Sequence, residues 1–360
     1  MQYLWQFYLL VGLVIVQGLC LAFGRNLGKN LFLWICFLEF AFIAGFRAWD
    51  IGNDTLPYIY TFIASAAHLD LSISHMEKGY LAYNKLLALF TSNPQSLLIA
   101  NALITLSSIF VFIKRYSSVV LLPVLLFLIL SFGNTMNLMR QYLAVAIVLW
   151  GVPFIIQRKF IAYALCCCGA ATFHQSVIVA LGLYFIYPLQ FKLKHLGWIL
   201  IGTLLVFVFI APLVDRVISI TGRYGSYRGN ILLGETTKLA SVVKMLVQVV
   251  ITSFCLFSYR FVFKRASNVV SGLNVSFLLW CSVLACCFQF ISIRGTVMER
   301  LVVYFSIFNI ISLPLFVRCY PRGIRAFVAI GLLGCFVLYQ SIIFVYRPEW
   351  NYILPFRFCF

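Results

Sequence analysis

Residues 96–115 read SLLIANALITLSSIFVFIKR, an uncharged run from Ser96 to Ile113 followed by Lys114-Arg115. A run of that kind approaches the roughly 20 apolar residues that cross a hydrocarbon core, and as a helix it closes its own backbone hydrogen bonds and can sit in lipid. The basic pair stops it at the membrane surface. Outward from this stretch the pattern repeats, and the expected spans are 3 to 23, 30 to 46, 96 to 113, 118 to 133, 138 to 156, 160 to 173, 175 to 190, 196 to 214, 239 to 259, 270 to 291, 301 to 317 and 326 to 346. The expected fold is all-α: a polytopic transmembrane bundle of about 12 helices, with residues 1 to 360 forming a single integral membrane domain.

Composition excludes the alternative of a water-soluble globule. Of 360 residues 63% are apolar or aromatic and only 10% charged, against about 45–50% and about 25% in soluble chains, and the mean hydropathy is +1.02. Arg25 is the first basic residue and follows the first apolar run, so the pattern of a cleaved leader is lacking and the first helix is expected to remain. Ten of the 12 cysteines fall in apolar runs, where free thiols serve as small hydrophobes, and no disulfide is expected.

Charge sets the topology. Arg25/Lys29, Lys114/Arg115, Arg158/Lys159, Lys192/Lys194, Arg260/Lys264/Arg265 and Arg318/Arg322/Arg325 occupy alternate connections that contain no acid, and they are assigned to the cytoplasm. Except for Glu39, which lies within the second span, every acid belongs to the opposite set. That side holds the two larger connections, 47 to 95 and 215 to 238, and both termini. The first of these mixes Trp, Tyr and Leu with Asp, Glu and Lys, which suits short helices lying along the interface. A tight hairpin is expected between 160 to 173 and 175 to 190, with His174 at its turn.

The same side is rich in arginine: nine (Arg47, Arg140, Arg216, Arg223, Arg228, Arg294, Arg300, Arg347, Arg357) against three lysines. Arginine grips phosphate with a planar fork and keeps its charge when partly desolvated, which points to a pyrophosphate-bearing ligand; ion pairs with neighbouring acids are the plainer reading for about half of them. Arg140, Arg294 and Arg300 stand at helix mouths, where a charge is costly, and are expected to converge with His174 on one cavity. His174 can act as a base or hold a phosphate or hydroxyl, or simply cap a helix end. Asp54, in the turn-rich Gly52-Asn53-Asp54-Thr55, is a candidate base or an N-cap, and Glu299 beside Arg300 carries the same ambiguity. Phosphate loops, His-Glu-x-x-His, Cys-x-x-Cys and Gly-x-Ser-x-Gly are missing from the sequence, so ATP-driven transport, zinc hydrolysis and serine lipolysis lack support. No metal or cofactor is expected. Nucleic acid is not an expected partner, because topology accounts for most of the +18 charge.

Five motifs in order carry a resemblance. Arg47-Ala48-Trp49-Asp50-Ile51-Gly52-Asn53-Asp54-Thr55 with Tyr58, then Glu77-Lys78-Gly79-Tyr80, Arg140-Gln141-Tyr142, Phe173-His174-Gln175-Ser176, and Glu299-Arg300-Leu301 with Tyr304 resemble the signatures of the EpsG/Wzy-type polysaccharide polymerases. Pro355-Phe356 departs from the Pro-Tyr of that pattern. The resemblance implies a bacterial inner-membrane glycosyltransferase, GT-C-like in fold, that polymerises undecaprenyl-pyrophosphate-linked oligosaccharide repeats into O-antigen, capsule or exopolysaccharide. Its site would face the periplasm, with Asp54, His174 and Glu299 as catalytic residues and Arg47, Arg140, Arg223, Arg294, Arg300, Tyr58 and Gln141 binding substrate. Membrane lipid and a chain-length regulator are the further partners implied. The competing readings are a lipid-linked oligosaccharide flippase, which calls for midplane polar groups on broken helices, and an O-antigen ligase-type transferase.

Overall fold

The computed structural model describes residues 3–22, 26–69, 76–221, 239–261, 273–294, 298–350 and 352–360. In chain order the helices are α1 Leu4–Leu21, α2 Asn26–Gly45, α3 Thr55–Ala66, α4 Lys78–Ala88, α5 Gln95–Tyr116, α6 Leu121–Phe127, α7 Gly133–Asn137, α8 Met139–Ile156, α9 Phe160–Ala171, α10 Gly182–Ile186, α11 His195–Thr221, α12 Leu239–Phe261, α13 Val275–Ile291, α14 Glu299–Ser306, α15 Asn309–Cys319 and α16 Arg322–Tyr346. Among the described residues the β-pairing is an isolated bridge of Arg47 with Phe358.

Each expected apolar stretch is helical over most of its described residues. Six helices (α1, α2, α5, α8, α12 and α16) are long and apolar enough to cross a membrane, and α14 with α15, bent by 46°, make a seventh candidate. Five apolar segments are shorter: Leu121–Asn137, Phe160–Ala171, Gln175–Ile186, His195–Ile210 and Val275–Ile291. This is a multi-pass membrane protein. Where boundaries differ from expectation, local chemistry gives the reason. α11 runs past 214 to Thr221 because Val217-Ile218-Ser219-Ile220 contains no helix breaker. α13 starts at Val275 because the Asn274 side chain accepts from the Ser276 N–H, an N-cap. A single residue, Leu138, separates α7 from α8, so the stretch left between the expected spans 118 to 133 and 138 to 156 is helix.

The chain forms two compact units, Met1–Leu181 with Pro321–Phe360, and Gly182–Val269 with Leu273–Tyr320. In the first, α2 packs on α5, α5 on α8, α8 on α9 and α3 on α4. The 47 to 95 segment supplies two short helices, α3 and α4. The chain reverses at His174, and the returning arm begins as a 3-10 helix, Gln175–Leu181. Leu128–Phe132 winds as a π-helix between α6 and α7. In the second unit, α12 and α14 pack on α13, and α15 on α12.

One end of the first unit gathers segments distant in sequence. The tail crosses residues 46–53: Ala48 N–H donates to Arg357 O (2.9 Å), Gly52 N–H to Tyr352 O (2.9 Å) and Cys359 N–H to Phe46 O (2.9 Å). Gln6 fastens the tail to α1 by donating to Phe356 O (3.1 Å) and accepting from Phe356 N–H (2.9 Å). Gly52 needs its missing side chain here, since its φ is +95°.

Candidate functional site

At that end a core of Tyr58, Ile59, Phe62, Tyr80, Leu97, Leu98, Met139 and Leu143 joins α3, α4, α5 and α8. Its edge carries charge. Glu77, just before α4, pairs with Arg140 in the first turn of α8. Its other carboxylate oxygen lies 3.4 Å from His174 Nδ1 and accepts from the Gln175 N–H at 3.4 Å. One carboxylate therefore ties together the entrance of α8 and the hairpin turn after α9. The Arg140 guanidinium lies over the rings of Tyr58 (5.5 Å) and Tyr80 (5.9 Å), whose electron-rich faces favour a cation. Burial pushes the phenols of Tyr80 and Tyr83 up, so both remain protonated.

Burial alone would raise the Glu77 carboxyl, but the hydrogen bond with His174 and the charge of Arg140 outweigh it and hold it below the usual carboxylate range. Glu77 is thus an anion with His174 and Arg140 arranged around it. The backbone brings these groups together through a close approach: the N–H groups of Gly79 and Tyr80 donate to Thr172 O at 3.0 and 3.3 Å. A Cβ at Gly79 would lie 2.1 Å from Thr172 Oγ1 and 2.8 Å from its carbonyl. Only glycine fits.

The other expected residues fall as follows. Gln141 is buried in α8 beside Arg140. Asp54 precedes the first turn of α3, one turn before Tyr58; its N–H donates to Asn137 Oδ1 (3.0 Å), and its own side chain does not cap the helix. Arg47 is buried, 1% exposed. Its guanidinium donates to the carbonyls of Ala44, Ile51 (3.4 Å) and Met136 (2.9 Å), and meets Met139 Sδ at 3.3 Å. Burial lowers its pKa to about 9, which leaves it charged at neutral pH.

Arg294, Glu299 and Arg300 belong to the second unit. Glu299 pairs with Lys244 of α12. Arg294 is exposed, donates to the carbonyls of Phe207 (3.2 Å) and Val208 (3.3 Å), and lies over the Phe207 ring. Arg300 is exposed. Arg223 lies outside the described residues, as does most of 215 to 238. Of the four groups expected to converge, Arg140 and His174 share a carboxylate within one unit. Among the described residues no group of three or more His, Cys, Asp or Glu side chains is placed to hold a metal ion. Sequence reasoning passed over Glu77: its place inside one of the five motifs was a signal, but spacing does not say which acid of the connection turns inward.

A family model for the EpsG family matches residues 30–358, nearly the whole chain. The chain belongs to the EpsG family. No curated protein and no solved structure matches it. Membership in EpsG places the protein in polysaccharide biosynthesis as a membrane-embedded polymerase, and the match covers both the Glu77, Arg140 and His174 cluster and the Lys244 and Glu299 pair.

Proposed function

We propose that this protein is a periplasm-facing glycosyltransferase of the bacterial inner membrane, GT-C-like in architecture. The five shorter apolar helices and the bent pair would bring the crossings to twelve. It joins undecaprenyl-pyrophosphate-linked oligosaccharide repeats into O-antigen, capsular polysaccharide or exopolysaccharide, with a chain-length regulator as partner. The observation that carries the reading is the Glu77 carboxylate held between Arg140 and His174.

In this scheme the acceptor sugar's hydroxyl attacks the anomeric carbon of the donor glycan. The bond from that carbon to the pyrophosphate oxygen breaks, and its electron pair leaves with undecaprenyl pyrophosphate. The hydroxyl proton passes to His174 Nε2, while Nδ1–H faces Glu77, which fixes the tautomer and steadies the imidazolium that forms. Arg140, backed by two aromatic faces, presents its fork to the departing pyrophosphate. Asp54 binds acceptor hydroxyls, as do Tyr58 and Gln141. Arg47, whose donors go to carbonyls, holds the frame. No divalent metal takes part.

The test uses full-length protein reconstituted in bilayers with lipid-linked repeats and EDTA. Polymer forms in EDTA. His174→Ala lowers the rate by at least about 100-fold and removes the acid limb of the rate against pH, the size expected for loss of a general base. A requirement for added metal refutes the metal-free scheme. Full activity of His174→Ala with loss in Asp54→Asn moves the base to Asp54. Accumulation of repeats on the cytoplasmic leaflet of a deletion strain establishes a flippase instead.

A further inference from the structure

We propose that a cavity of about 730 Å3 beside Trp49 is an oligosaccharide-binding subsite, separate from the Arg140 cluster. The choice of ligand rests on the polymerase reading; the existence of the site rests on its walls. The cavity lies where α2 ends, α5 begins and the C-terminal tail crosses, and it is bounded by Trp49, Asp50, Asn93, Ser96, Phe358 and Phe360. Its volume falls inside the about 300–1,000 Å3 usual for small-molecule sites.

Trp49 is clamped. Its indole N–H donates to Gln95 Oε1 at 2.8 Å, and the buried Gln95 amide donates in turn to the carbonyls of Gly45 (2.6 Å) and Arg47 (3.1 Å). The polar atom of the indole is therefore occupied, and 39% of the residue remains exposed. A fixed aromatic face bordered by a carboxylate, an amide and a hydroxyl is the combination that takes a sugar ring, whose C–H groups lie on the indole. The ring hydroxyls bond to the Asp50 carboxylate beside its pair with Arg357, to the Asn93 NH2, whose Oδ1 accepts from the Gln95 N–H (3.0 Å), and to Ser96 Oγ as an acceptor, its own proton going to Asn93 O (2.7 Å). These polar walls come from residues beyond the end of α2 and from the connection into α5. They lie at the ends of α2 and α5, two of the helices long and apolar enough to cross a membrane. A hydrocarbon tail would leave their remaining hydrogen-bonding capacity unused.

The location also suits a glycan substrate. Leu56 lines the cavity, while Tyr58, two residues further along α3, faces Arg140. Positions two apart on a helix point about 200° away from each other, so the cavity and the cluster flank the same first turn. An oligosaccharide seated on Trp49 lies across one helix from the proposed chemistry, where it would retain a growing chain between additions.

The test measures binding apart from catalysis. Full-length protein in a detergent without sugar is titrated with oligosaccharide released by mild acid from the producing strain's own polymer, and contact is read by saturation-transfer NMR. Binding is expected in the wild type and is expected to weaken at least tenfold in Trp49→Ala and in Leu56→Trp. The second variant fills the cavity from an exposed position and leaves the Trp49 clamp intact. Both variants should shorten the polymer made in cells while single additions continue. Unchanged binding in Leu56→Trp at wild-type thermal stability overturns the subsite, as does a wild type that polymerises yet binds no oligosaccharide. Binding that survives in a protein whose deletion leaves polymer unaffected removes the polymerase reading and keeps the subsite.

Discussion

Two glutamates sit at helix mouths with a cation beside each, and they are built differently. Glu77 and Arg140 have side chains 13% and 19% exposed, with His174 and the Gln175 N–H as additional partners and two aromatic rings facing the guanidinium. Glu299 and Lys244 are 32% and 31% exposed. Lys244 offers a point charge on a flexible stem; Arg140 offers a planar fork held in orientation. Water screens the second pair more, so its attraction is weaker at the same separation. The comparison teaches that a cation next to an acid is not by itself a site. Removal from water and an additional titratable partner separate the first centre from the second.

Activity should show the largest separation between them. Arg140→Lys and Glu77→Gln are expected to lower polymerisation in reconstituted bilayers by about 100-fold or more, the loss typical of one preorganised charge-stabilising donor, with normal amounts of protein in the membrane. Glu299→Gln should cost less than about tenfold. Equal losses at both centres would erase the contrast and make the second unit an equal contributor to the chemistry.

The next effect is on stability and concerns the frame around Glu77. Gly79→Ala drives a Cβ into Thr172, and Arg47→Lys takes from the Met136 carbonyl its guanidinium donor, while the Ile51 carbonyl keeps the Thr55 hydroxyl. Each should cost about 1–3 kcal/mol, the range for overpacking and for an unsatisfied buried polar group. The check is thermal melting alongside activity per folded molecule. For Arg47→Lys the melting temperature falls while activity per folded molecule holds. If the reverse is seen, Arg47 acts on substrate as its motif implied.

How far the sequence could be read follows from these residues. The apolar stretches were legible because a period set by lipid and an alternation of basic clusters leave little freedom. Arg140 and His174 were legible because charge at a helix mouth needs a reason. Glu77 was not, because nothing in spacing tells which of several acids in a connection will turn inward to meet partners 63 and nearly 100 residues away. Arg47 shows the converse: its residue type pointed to phosphate, while the fold used its guanidinium to satisfy the carbonyls of Ala44, Ile51 and Met136. The C-terminal tail, with no motif of its own beyond Pro355-Phe356, gave no sign that it would cross residues 46–53.

The smallest expected effect isolates the two ion pairs from substrate altogether. The Glu77 carboxyl is held below its unfolded value, near 4.3, so its contribution to stability is full above that pH and is lost as pH falls through the lowered folded value. Wild type should therefore lose melting temperature more steeply than Glu77→Gln as pH falls below about 4.3, since the variant has no proton to take up at that position. The half-exposed pair should behave otherwise. A double-mutant cycle of Lys244→Met and Glu299→Gln is expected to give a coupling of about 0–1 kcal/mol at neutral pH, shrinking in added salt, as solvent-exposed pairs do. A coupling well above that, resistant to salt, would mean that Lys244 and Glu299 are desolvated in the membrane, and the second centre would then match the first in kind.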